Sequence, residues 1–393
     1  MRGRELIRRY LLKLTGPLLS RGASETILPQ PSNILVIRPD HLGDLLFATP
    51  ALRLLRHSFP DAHITCLIGP WGESVLRGNP HLDEVLLCPF PGFTRQPKPS
   101  LLQPYALLLT LARELRTRGF DTALILRFDH WWGAILATLA QIPHRIGYAI
   151  PEVKPFLSYA VPYEGKTHEV VRNLLLVAGL AGVKLEDVTP EKYPLEFHFT
   201  PEDAAYVDKL AGPGPFVAIH PGAGWPVKLW LPEKWAVLAD AIAQKWHRKV
   251  VLTGSASERP LTEEIARRMR SHPLNLGGRT TIGQLAALYS RCELVIGCDS
   301  GPLHLAVGVG VPTIHLYGPV DPELFGPWGP KERHRVVRAD MECIPCNRLD
   351  YRDEELSAHL CVKAITVEQV LATVEEILTP SSGGFYGHLE RSK

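Results

Sequence analysis

Four short segments hold residue types that move protons or cradle phosphates. In Pro39-Asp40-His41-Leu42-Gly43-Asp44, the glycine lets the chain turn closely and Asp44 is placed where a carboxylate could take a proton from an incoming hydroxyl. The same aspartate would equally suit a helix cap. His220-Pro221-Gly222-Ala223-Gly224 is followed by Lys228, so glycine N–H groups and a point charge lie on one loop suited to a diphosphate. It is not a Walker loop, because no serine or threonine follows that lysine in the required spacing.

Thr253-Gly254-Ser255-Ala256-Ser257-Glu258 has small residues with room for a nucleoside, and Glu258 could accept hydrogen bonds from ribose hydroxyls. Ser257 fits equally well as no more than a cap before Pro260. In Asp299-Ser300-Gly301-Pro302-Leu303-His304, Ser300, Gly301 and a helix start would present donors and a positive dipole end to phosphate oxygens. His304 on the first turn would steady a leaving diphosphate; the alternative is a capped helix with a buried histidine. No Asp-x-Asp triplet occurs, so no dedicated carboxylate pair for a diphosphate-bound magnesium is present, and neither a metal nor an organic cofactor is expected. Neutralisation would fall to Lys228, His304 and helix dipoles.

Each segment follows a candidate strand, which is where open parallel sheets bind ligands. The spacing predicts strands at residues 33–38, 63–68, 84–87, 122–126 and 145–148, then 216–220, 249–253, 294–296 and 313–317. Predicted helices fall at 45–57, 101–118, 168–180, 232–246, 260–270, 282–291, 302–307 and 367–378, with Pro50 tolerable only in a first turn or at a kink. The expected class is α/β, two doubly wound domains. Residues 33–195 form the first and 196–378 the second, between a basic segment at 1–32 and a disordered tail at 379–393.

At 393 residues the chain exceeds the usual size of one core. Lysine and arginine total 43 against 41 acidic residues, so no global field points to a nucleic-acid partner. Residues 1–20 mix arginines with leucines but lack the long uncharged run of a signal peptide or spanning helix; a basic amphipathic helix on an anionic membrane and a frayed surface helix both fit. Seven dispersed cysteines suit reduced thiols in the cytoplasm. Cys343, Cys346 and Cys361 could begin a zinc site, but a fourth ligand is not evident, although His359 is near.

Taken in order, these segments resemble glycosyltransferase family 9, the ADP-heptose:lipopolysaccharide heptosyltransferases, over residues 33–378. The run ILVIRPDHLGDLLFATPAL is similar to the family's opening strand and Gly-Asp loop, which makes Asp44 the catalytic base, with Arg38 and Gly43 on the acceptor side. HPGAGWPVKLW resembles the donor-phosphate loop, placing Gly222 and Lys228 there. GCDSGPLHLA matches D-[ST]-G-x-x-H, making Asp299, Ser300, Gly301 and His304 donor-site residues beside Glu258. HRIGY, with Arg145, is similar to a segment of the acceptor domain.

The resemblance implies a GT-B fold of two Rossmann-like domains facing a central cleft. It also implies inverting, metal-independent transfer from ADP-heptose to a hydroxyl of a lipid-linked glycan, the lipopolysaccharide inner core, in the cytoplasm at the inner face of the membrane. A helix at 367–378 would return to brace the first domain. A different nucleotide sugar or acceptor, a nucleotide-sugar epimerase of the same architecture, and a non-catalytic scaffold are the competing readings.

Overall fold

A computed structural model describes residues 30–94 and 102–379; residues 1–29 of the basic segment and 380–393 of the tail lie outside them. Two compact units divide between His198 and Phe199. The sequence reading put that division at 195/196. Leu195 and Phe197 are buried, and Glu196 binds Arg53 (3.2 Å), His81 (2.9 Å) and, through its N–H, Thr49 (3.2 Å), so this stretch belongs to the first unit.

The first unit is a parallel sheet in the order β3-β2-β1-β4-β5-β6. Its strands are β1 (Asn33–Arg38), β2 (His63–Ile68), β3 (Glu84–Leu87), β4 (Thr122–Ile125), β5 (His144–Tyr148) and β6 (Tyr159–Val161). Ile34, Leu35, Val36 and Ile37 are fully buried, as a central strand covered on both faces requires. The second unit repeats the plan with β7 (Phe216–His220), β8 (Lys249–Leu252), β9 (Leu274–Asn275), β10 (Cys292–Cys298), β11 (Thr313–Tyr317) and β12 (His334–Arg338). Its order, β12-β11-β10-β7-β8-β9, is the same winding. In such sheets the strand order reverses beside the first strand, and the crevice there receives ligands. That point lies between β1 and β4 in one unit and between β7 and β10 in the other.

Several elements differ from the expected ones. The helix Leu42–Ser58 starts earlier than residue 45, so Gly43 and Asp44 stand in its first turn rather than in a loop, and the cap position falls on His41. It also runs through Pro50. Proline cannot donate to the carbonyl of Leu46, and the Thr49 hydroxyl supplies that bond instead at 2.8 Å. Helix Trp131–Leu139 is apolar on nearly every side and shows no amphipathic period to find. Helix Pro201–Ala211 did carry a signal, Thr200 and Asp203 forming a capping box around a proline at the first position. Strands β6, β9 and β12 lie at or next to nothing but one neighbour, and their short or charged sequences hide them.

Helix Val367–Leu378 packs within the second unit, Val370 and Val374 joining the core of Trp235 and Leu238. Just ahead of it, the Ile365 carbonyl accepts from Trp230 Nε1 (3.0 Å) and Lys234 Nζ (2.7 Å). Its apolar face is therefore buried within the second unit. Among the described residues no helix is long and apolar enough to cross a membrane.

Thr49→Val would leave the Leu46 carbonyl and the Glu196 N–H without their shared hydroxyl. The expected loss is about 1–3 kcal/mol of unfolding free energy, read from urea denaturation at unchanged m-value.

Candidate active site

At the carboxyl end of β1 a group of charges closes on Arg38, which is 1% exposed. Its Nε lies 2.7 Å from Asp40, Nη1 donates to Asn173 Oδ1 at 3.0 Å, and Nη2 lies 2.8 Å from Glu169 and 3.7 Å from Asp44. Arg127, on the loop after β4, pairs with the other oxygen of Asp40 and with Asp129 at 2.6 Å. Burial opposes the charge on Arg38, but Asp40, Glu169 and Asp44 outweigh it and its pKa is raised. Burial likewise opposes ionisation of Asp40, yet Arg38 and Arg127 hold its carboxyl below the usual range.

Asp44 behaves differently from Asp40. Its side chain keeps 35% of its surface exposed, while protein packs around the remainder. Burial first, then the charges of Asp40 and Glu169, act against the partial pull of Arg38 and Arg127, and its pKa is pushed up to about 7. A carboxylate of that basicity is matched to proton abstraction near neutral pH. Gly43, in the preceding position of the helix, has no left-handed backbone torsion.

His130 begins helix Trp131–Leu139 and is boxed by Phe90, Phe93 and Trp132. Burial lowers its pKa to about 3. Arg145 is no part of this group: its guanidinium donates to the carbonyls of Phe156 (2.7 Å), Pro143 (3.3 Å) and Ile142, near the start of β5. These bonds fix the approach to that strand.

In the second unit the equivalent crevice brings together Lys228, Asp299 and His304. Lys228 Nζ lies 2.6 Å from Asp299 Oδ2, and His304 Nε2 lies 3.8 Å from Oδ1. Lysine 228 is thus paired rather than free, and burial of Asp299 is outweighed by Lys228 and His304, which hold its carboxyl well below the usual range. The pair costs desolvation, and what it supplies is a fixed position for the Lys228 ammonium and the His304 imidazole. Ser300 occupies the cap position of helix Gly301–Gly308, but its side chain makes no capping bond and its buried hydroxyl has no partner. The first N–H groups of that helix and this hydroxyl are donors at the positive end of the helix dipole, a chemistry suited to an anion.

Glycines permit the close approach of these loops. A Cβ on Gly297 would strike the His220 carbonyl and Leu303, and one on Gly222 would strike the Glu258 carboxylate. Glu258 caps the turn after β8, its Oε2 accepting from the N–H and hydroxyl of Ser255 at 2.7 Å each. Its other oxygen lies against Gly222. Behind the loop, His220 Nδ1 meets Thr253 Oγ1 at 3.1 Å, and Thr253 meets the Tyr289 hydroxyl at 3.1 Å.

Cys343 and Cys346 are exposed, and Cys346 Sγ lies 3.6 Å from the Tyr351 hydroxyl. Cys361 is buried, and the His359 and Tyr351 rings meet at a tilt of 36° with centroids 3.6 Å apart. Among the described residues no group of three or more His, Cys, Asp or Glu side chains is arranged to hold a metal ion.

Asp40, Arg127, His130, Glu169 and Asn173 were not singled out from sequence. Asp40 lay inside a quoted motif, but Glu169 and Asn173 sit on a helix far along the chain, and nothing local ties them to Arg38.

Two Rossmann-like units, each a six-stranded parallel sheet wound in the same order, are those of a GT-B glycosyltransferase. Residues 108–356 match the sequence profile of Glycosyltransferase family 9 (heptosyltransferase). The chain belongs to that family. It is 28% identical to lipopolysaccharide heptosyltransferase 3 of Escherichia coli strain K12 over 86% of this chain and 95% of that one. It is 25% identical to lipooligosaccharide heptosyltransferase 2 of Haemophilus influenzae over 88% and 99%. The crystal structure of a family 9 glycosyl transferase from Veillonella parvula superposes with a TM-score of 0.74 at 25% identity, covering 89% of this chain and 98% of that one.

Lys228→Ala would remove one charge-assisted donor and leave Asp299 buried beside it. Titration calorimetry with a nucleoside diphosphate is expected to show binding weakened roughly ten- to a hundredfold, the equivalent of about 1.5–3 kcal/mol.

Proposed function

We propose that this glycosyltransferase moves a heptose from ADP-heptose to a hydroxyl of the lipopolysaccharide inner core, with inversion and without a metal. The observation that carries the reading is Asp44, a partly exposed carboxylate whose pKa is raised to about 7 at the switch point of the first unit. Asp44 accepts the proton of the acceptor hydroxyl as its oxygen attacks the anomeric carbon. The bond to the diphosphate breaks, and the charge that develops on the leaving oxygens is met by Lys228, His304, Ser300 and the N–H groups at Gly301. Arg38 and Gly43 stand on the acceptor side, and Glu258 beside Gly222 faces the nucleoside. The relatives named as heptosyltransferases support the sugar and the acceptor. The absence of an Asp-x-Asp triplet supports the metal-free step.

The assay is transfer from ADP-heptose to heptose-deficient core lipopolysaccharide with EDTA present. Transfer should be unchanged by EDTA and should fall by about 10²–10⁴ in Asp44→Asn. The base works ionised, so kcat/KM in the wild type should drop about tenfold per unit as pH falls below about 7. Loss of transfer with EDTA, or an Asp44→Asn enzyme of wild-type rate, sinks this mechanism.

The site of action we propose is the cytoplasm at the inner face of the membrane, with the basic segment at 1–32 meeting anionic lipid. Co-sedimentation with vesicles containing phosphatidylglycerol, lost on deleting residues 1–29 and absent with neutral vesicles, is the expected outcome.

A further inference from the structure

Arg38 is one buried cation within reach of three carboxylates, and the geometry shows which of them holds it. Its Nη2 is 2.8 Å from Glu169 Oε1 but 3.7 Å from Asp44 Oδ1, while Nη1 is tied to Asn173 and Nε to Asp40. Glu169 and Asn173 share the helix Glu169–Ala181. That helix is fixed to the one carrying Asp44 by the bond from Asn173 Nδ2 to the Phe47 carbonyl at 3.1 Å. Glu169 is itself held from behind by Arg172 at 3.0 Å, whose other nitrogen donates to the Gly165 carbonyl at 2.8 Å.

We propose that Glu169 is a positioning residue that keeps Arg38 turned away from Asp44 and so preserves Asp44 as a base. The inference rests on the reading of Asp44 as the catalytic carboxylate. With Glu169 uncharged, Arg38 Nη2 loses its nearest anion and Asp44 becomes the carboxylate left for it to pair with. The lost negative charge acts on Asp44 in the same direction, since it is one of the charges that favour its protonated form.

The other groups around the pair do not offset this. Asp40 is already shared between Arg38 and Arg127. Arg172, on the same helix as Glu169, would lose its partner and add positive field. His130, on the helix after β4, is held neutral by burial. Cys66 of β2 and Tyr148 of β5 are both pushed up by burial and stay neutral.

The test is a ¹³C-carboxylate NMR titration of aspartate-labelled protein, with the Asp44 signal assigned by its loss in Asp44→Asn. The wild-type midpoint is expected near 7 and should fall by about one pH unit in Glu169→Gln, a tenfold change in proton affinity. Glu169→Asp keeps the charge with a shorter reach and should give a smaller fall; it also serves if the glutamine variant does not fold, as judged by thermal unfolding. The acid limb of kcat/KM should move with the midpoint, which a merely structural role for Glu169 would not do. A midpoint unchanged or raised in whichever variant folds overturns the proposal. A shifted midpoint in a protein that transfers nothing from ADP-heptose would leave it standing and reject the donor assignment instead.

Discussion

The first unit is organised around a single guanidinium in a place where water cannot reach it. Arg38 ends the central strand β1, and burying that charge is tolerable only because carboxylates and an amide surround it. Those partners come from three parts of the chain: the loop after β1, the helix Leu42–Ser58 and the helix Glu169–Ala181. The need to satisfy one cation thereby fixes where two helices sit against the sheet. It also leaves Asp44 as the carboxylate that the cation only partly serves.

In the second unit the sign is reversed. A buried carboxylate, Asp299, is the centre, and Lys228 from the turn after β7 and His304 from helix Gly301–Gly308 converge on it. Both arrangements stand where the strand order reverses, because only there do adjacent strand ends diverge and leave room for side chains to meet over the sheet. Each uses a buried charge to orient a chemically useful neighbour. In the first unit that neighbour is Asp44, the carboxylate proposed as the base. In the second it is a set of donors beside a helix N-terminus with an unpartnered serine hydroxyl.

The residues around these centres illustrate how local roles and site roles combine. Glu258 was read as a partner for ribose, and it also caps its own turn through Ser255. Thr49 was not read at all, yet its hydroxyl lets the helix carrying Asp44 pass through Pro50 unbroken. Arg145 matched a family segment, but its guanidinium is occupied by three main-chain carbonyls and stabilises the path into β5. A motif names residues that belong together in sequence, and hydrogen-bond satisfaction decides which of them are left for chemistry.

By itself the sequence determined the two α/β halves, the inner strands and the four ligand loops, because these are written in local signals. Continuous apolar runs mark strands buried on both faces, and glycine and proline mark the turns after them. Asp44, Lys228, Asp299, Ser300 and His304 could be singled out as candidates for the same reason, each lying past such a run. The tertiary structure alone decided that Glu169 and Asn173, more than a hundred residues from Arg38, complete its coordination. It alone showed that Lys228 is ion-paired and that Asp44 differs from Asp40 in basicity. Those properties depend on burial and on distances between charges, which spacing along a chain does not encode.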